Sequence, residues 1–176
     1  MRFSPQDYVE VRMSMAGITH ALINRRDVLL ARLMTADERA RAFPGGSPGV
    51  DLVVFEDAQG KGPLMSLTTP DELAGFGAIQ LGDRWVFADN IDLTSIQRLS
   101  NAEKFHYLRD NPGQPTPHTR FDLECRDVTS RTMFTPMTDI DLLIAIDTAR
   151  LEARQHLKSL YGPEASPHQP ALASLE

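Results

Sequence analysis

His118, Asp122 and Glu124 are the residues whose types and spacing best suit proton transfer. His118 closes the polar stretch 112–118, and the two carboxylates follow on a segment of alternating polarity, TRFDLECRDV. A loop imidazole beside a carboxylate-bearing strand can form an acid–base pair. The same alternation places Asp122 and Glu124 on the wet face of a strand, where charges are expected in any case. Cys125 is the only cysteine. A nucleophilic thiolate needs an electropositive setting and a base. Here Glu124 and Asp127 lie beside it, and the alternation turns it to the apolar face. It reads as a buried structural thiol. A single cysteine also excludes an intrachain disulfide and a thiolate metal cluster within one chain.

Asp139, Asp141 and Asp147 are the right type for a hard cation. Acids in a first helical turn are equally explained by capping and the helix dipole. Asp139 and Asp141 also point roughly 200° apart on a helix. His20, His106, His156 and His168 show no spacing that sets two imidazoles on one helical face. The glycine runs PGGSPG and GFG do not sit between a strand and a long helix as a phosphate loop does. No nucleophile-elbow serine motif occurs. The expectation is therefore no metal and no cofactor.

The elements that must position these residues begin with a strongly apolar N-terminal stretch. Tyr8, Val11, Met15, Ile18, Leu22 and Leu29 recur at spacings of three, four or seven. That spacing predicts an amphipathic helix from Pro5 to about Leu33, with Ser4 as its cap. Gly17 and the polar cluster 24–27 are its weak points. Thr35 and Glu38 form a capping-box pair, which predicts a second helix over 36–43. PGGSPG at 44–49 then ends all helix.

Strand patterns follow at 50–56 and 63–67, with a short helix start at Thr69. Residues 78–88 predict a hairpin around Gly82-Asp83, with Leu81 opposite Arg84, Ile79 opposite Val86 and Gln80 opposite Trp85. Both of its faces are apolar, so it should be covered on both sides. Ser100 and Glu103 predict a further helix start. Strands are expected in TRFDLECRDV (119–128) and at 131–135. A last long helix is expected from Thr138 to Tyr161, with Leu143, Ile146, Ala149, Ala153, Leu157 and Leu160 buried. The fold class is α+β: an antiparallel sheet of about six strands from three hairpins, packed on long N- and C-terminal helices. One domain covers 1–161, with a helical segment at 1–43 and the hairpin–helix unit at 50–161. Residues 162–176 carry three prolines and read as a tail.

The chain has 176 residues and a formal net charge of −6. Residues 1–43 carry +2, 44–137 carry −5 and the remainder −3. No basic stripe exists, which argues against nucleic acid. No apolar run reaches the length of about 20 residues that spans a bilayer, and no secretory signal opens the chain. A soluble, cytoplasmic protein is expected. The absence of a catalytic motif and the presence of apolar helix faces favour a non-enzymatic interaction or assembly protein, whether adaptor, chaperone-like protein or structural subunit. Its partner is another protein or itself as a homo-oligomer. The contact residues expected are Tyr8, Val11, Met15, Ile18, Leu22, Leu29, Leu172 and Leu175. The alternative is a small intracellular enzyme or ligand-binding domain with a pocket near 112–124.

Overall fold

The computed structural model describes residues 8–15, 18–60, 62–126 and 130–161, with side chains from 23 to 159 within those ranges. The long N-terminal helix is not there. Tyr8–Met15 is strand β1 and Ile18–Asn24 is β2, paired antiparallel with Val9 opposite Ile23 and Val11 opposite Ala21. A single helical turn at Arg25–Asp27 leads into β3, Val28–Leu33. The reason is a second period in the same residues. Val9, Val11, Met13 and Met15 alternate with Glu10, Arg12 and Ser14. Such alternation and the β-branched residues suit a pleated strand. Tyr8 and Val11, three apart, then fall on opposite faces, so the expected stripe of Tyr8, Val11, Met15, Ile18, Leu22 and Leu29 is not one surface. Ser4 and Pro5, the expected helix start, lie outside the described residues.

β3 instead supplies the middle strand of a five-stranded antiparallel sheet, β5-β4-β3-β7-β6. The other members are β4 (Val53–Asp57), β5 (Pro63–Met65), β6 (Ala78–Leu81) and β7 (Arg84–Phe87). A second sheet is built from β8 (Gln97–Arg98), β9 (Thr119–Leu123) and β10 (Arg131–Thr135), in the order β10-β9-β8. The described residues thus form ten strands where about six were expected. Four α-helices complete the α+β fold: α1 (Ala36–Ala42), α2 (Pro70–Gly75), α3 (Asn101–Asp110) and α4 (Asp139–Tyr161).

The β6–β7 hairpin has the expected register, and Gly82 supplies the positive φ of its turn (66°). Its two faces enter two different cores. Trp85 and Phe87 pack with Ala31, Phe55 and Leu73, whereas Ile79 and Val86 pack with Leu30, Phe121, Leu123, Leu142 and Ile146. The central sheet is therefore covered on both sides. Capping boxes start α1, α2 and α3 at Thr35, Thr69 and Ser100. In α1 the boxed Glu38 also receives both Arg32 Nη atoms, at 2.6 and 3.0 Å. Arg32's hydrogen bonds hold the Glu38 carboxyl down to about 2.

α4 lies against the second core through Leu142, Ile146 and Ala149, with Ala153 also buried. Leu143, expected inside, is 44% exposed. Ile146, Ala149 and Ala153 are buried as expected, and Leu142, four residues before Ile146, completes their face, while Leu143 lies about 100° round the helix from it. Leu157 is half-buried, and the side chain of Leu160 lies outside the described residues. Cys125 is buried, its Sγ 3.5 Å from the Val28 carbonyl oxygen, and burial pushes its thiol up.

Candidate interaction surface

α4 begins where the sequence demands it. Thr138 Oγ1 accepts the Asp141 N–H at 3.1 Å, and Asp139 Oδ1 accepts that of Ile140 at 3.0 Å. Arg98 Nε donates to Asp139 Oδ2 at 2.8 Å, which holds the Asp139 carboxyl below its ordinary range. The first-turn acid is thus committed to the helix start. Among the described residues, no group of three or more His, Cys, Asp or Glu side chains is placed to hold a metal ion.

From that start α4 runs for 23 residues with two apolar faces. At about 100° per residue, Leu142, Ile146, Ala149 and Ala153 cluster on one side. Ile140, Ile144 and Leu151 fall about 180° away, with Leu143 on their flank. These four are 58, 58, 52 and 44% exposed in that order. They form a row of large aliphatic side chains along one helix, turned away from both sheets. Single exposed apolar residues need no explanation, but a contiguous patch marks an interaction site. Asp147 interrupts the row and Lys158 extends it.

At the flank of α4 two arginines, Arg25 and Arg150, meet at Asp89. Arg25 Nη2 lies 3.3 Å from Asp89 Oδ2, and Arg150 Nε lies 3.7 Å from Oδ1. Arg154 is one turn beyond Arg150 on the same helix side. Arg25 is 9% exposed and donates through Nη1 to the Phe76 carbonyl at 2.9 Å. Gly77 makes room for that guanidinium: a Cβ there would lie 3.2 Å from the Ala153 Cβ and 3.4 Å from Arg25 Nη1. The fully buried Asn90 fixes the backbone beneath. Its Nδ2 donates to the carbonyls of Arg25 and Val28 at 2.9 and 3.0 Å, and its Oδ1 accepts from Arg26 Nη1 at 2.9 Å.

The expected proton-transfer residues do not converge. His118 has an exposed side chain, and its backbone is tied to Thr135 and Leu99. It lies four positions before Asp122, about 13 Å at the usual strand rise. Asp122 Oδ1 accepts from Thr132 Oγ1 at 2.7 Å, and Glu124 is exposed. An apolar groove of about 420 Å³ opens between α1 and β5, lined by Met34, Ala42, Phe43, Leu64, Met65 and Leu67 among others. None of its lining comes from 112–124. Of the expected contact residues, Leu29 is half-buried against the second core. Leu172 and Leu175 lie outside the described residues.

Sequence reasoning missed both the outward row and the arginine cluster. The row had a signal in the four- and seven-residue spacings of Ile140, Ile144 and Leu151. The cluster had none, because its members come from distant parts of the chain. The chain matches no family model, and no curated protein and no solved structure is similar to it. Among the described residues, no helix is long and apolar enough to cross a membrane.

Proposed function

We propose that the chain is a non-enzymatic assembly protein that pairs with a second copy of itself through the outward face of α4. The observation that carries this reading is the row Ile140, Leu143, Ile144 and Leu151, each with about half its surface in water. The occupant follows from charge order. Asp139, Asp141 and Asp147 lie in the first part of α4, and Arg150, Arg154 and Lys158, with the single acid Glu152 among them, lie in the second. A parallel copy would set Asp147 on Asp147 and Lys158 on Lys158. An antiparallel copy sets the acidic half of each helix against the basic half of the other and opposes the two helix dipoles. That arrangement is self-complementary, as a two-fold contact requires.

Removing the remaining exposed surface of these side chains from water contributes roughly 1 kcal/mol each, so about 8 kcal/mol over two copies. Association itself costs about 4–15 kcal/mol. The pair is therefore weak, and its formation depends strongly on chain concentration. Sedimentation equilibrium across a wide concentration range tests it. A monomer–dimer equilibrium that Ile144→Lys abolishes, with the melting curve unchanged, is the expected outcome. A chain that stays monomeric at the highest concentration, or a dimer indifferent to Ile144→Lys, overturns it.

A further inference from the structure

We propose that the groove between α1 and β5 binds a free medium-chain fatty acid, with the aliphatic chain along the groove and the carboxylate on Arg41. This role is separate from self-association, because no residue of α4 lines the groove.

The first support is the groove itself. Its volume is about 420 Å³, toward the small end of the roughly 300–1,000 Å³ that small-molecule sites occupy. Met34, Ala42, Phe43, Leu64, Met65 and Leu67 give it an apolar wall. Met34 forms a small buried core with Leu52 and Val54, and Ala42, Phe43, Met65 and Leu67 pack against that core. The wall is thus held by the fold. Met34 and Met65 have flexible side chains that adapt to an aliphatic chain.

The second support is charge. Arg41 is the one ionisable residue in the lining, and it is exposed. The arginines near it in sequence are committed. Arg32 pairs with Glu38 and Glu56, and Arg39 donates to Ser47, Pro48 and Val50. Arg41 makes one hydrogen bond, from Nε to the Asp37 carbonyl oxygen of its own helix, at 3.4 Å. It pairs with no carboxylate among the described residues, that of Asp37 included. Both Nη atoms are therefore free to take a carboxylate in the two-pronged geometry that a guanidinium favours. The polar side chain of Ser66, also in the lining, is spent. Its Oγ donates to the Val53 carbonyl at 2.7 Å and accepts from the Thr68 N–H at 3.2 Å. An apolar slot with one cation selects one negative charge on an apolar body, which is the chemistry of a fatty acid.

The third support decides against a peptide. β5 is an edge strand, but it has three residues and opens on Pro63, which has no N–H to give. A short edge with a proline resists the addition of another strand.

The test is a calorimetric titration of the dilute chain with decanoate, decanol and decyltrimethylammonium, each below its micelle concentration. Saturable binding of decanoate is expected, with decanol about tenfold weaker and the ammonium weaker still, because only the acid makes the charge-assisted contact. Arg41→Gln should weaken decanoate about tenfold and leave decanol unchanged, a split that damage to the groove would not give. Arg41→Glu should reverse the preference, so that the ammonium binds more tightly than the acid. Arg131→Gln, on an exposed strand position, should change none of these. The three head groups compared on the parent chain decide the matter even if a variant fails to fold. No saturable decanoate binding, equal binding of decanol, or indifference to Arg41→Gln overturns the site. So does a short uncharged apolar peptide that binds more tightly than decanoate, which would assign the groove to an extended chain. A dimer that decanoate dissociates and Ile144→Lys spares would assign it to a second copy and overturn it too. Failure of the fatty-acid site leaves the α4 pairing untouched, and a chain that stays monomeric leaves the fatty-acid site untouched.

Discussion

The two faces of α4 carry the same kind of residue and meet opposite surroundings. Leu142, Ile146, Ala149 and Ala153 are buried against the sheets, whereas Ile140, Leu143, Ile144 and Leu151 face water. Residue type therefore did not decide which leucine goes inside. Phase did: one residue of rotation separates Leu142 from Leu143. The inward face holds the monomer together. The outward face keeps about half its surface in water, and the free energy of that half is realised only when something covers it.

The largest expected effect that can break this comparison is on the inward side. Leu142→Ala removes a fully buried side chain and leaves a cavity, so it should cost about 2–5 kcal/mol in urea unfolding. A loss under about 1 kcal/mol would mean that the buried face is not the structural one. The same variant should speed modification of Cys125 by a thiol reagent, because that buried thiol becomes accessible as the core opens. Outward changes come next. The double variant Ile144→Lys with Leu151→Lys should stay within about 0.5 kcal/mol of the parent in monomer stability. Sedimentation should show its self-association gone. If the double variant unfolds the monomer, the two faces are not distinct.

Acid sharpens the contrast between a helix held by apolar contacts and one held by charge. The Glu38 carboxyl, held down to about 2 by Arg32, titrates well below an unfolded glutamate at 4.5. Its stabilisation of α1 is complete above about pH 4.5 and is lost as pH falls toward 2. Glu38→Gln should remove that part of the pH dependence in acid-titration melts, while the packing of α4 is unaffected. The smallest effect is expected at Asp139, whose carboxyl is lowered by Arg98. Its contribution is likewise present above the ordinary aspartate value and fades as pH falls below it. Asp139→Asn should speed amide exchange at 140–142 and leave the melting temperature nearly unchanged.

What the sequence made legible was local. The capping pairs Thr35–Glu38 and Ser100–Glu103 and the hairpin around Gly82 each depend on residues a few positions apart. α4 was legible in extent for the same reason, and Ile146, Ala149 and Ala153 were legible as its buried face, but Leu142 and not Leu143 completes that face. The N-terminal stretch failed because its apolar residues satisfy two periods, and pairing between β1 and β2 favours the strand reading. The arginine cluster was out of reach. Arg25, Asp89 and Arg150 meet only after β3, β7 and α4 have been brought together, and no spacing along the chain encodes that meeting.

Asn90 bears on how this chain can drift. Its amide nitrogen faces two carbonyl oxygens, those of Arg25 and Val28, with no solvent exposure. Aspartate is the nearest replacement in shape and a common product of amide hydrolysis. It would aim an oxygen at two oxygens and bring a negative charge into a dry site. The mildest change in outline is thus among the harshest in chemistry. Ageing of a single amide would loosen the turn that carries Arg25 and Arg26 before any apolar contact had changed.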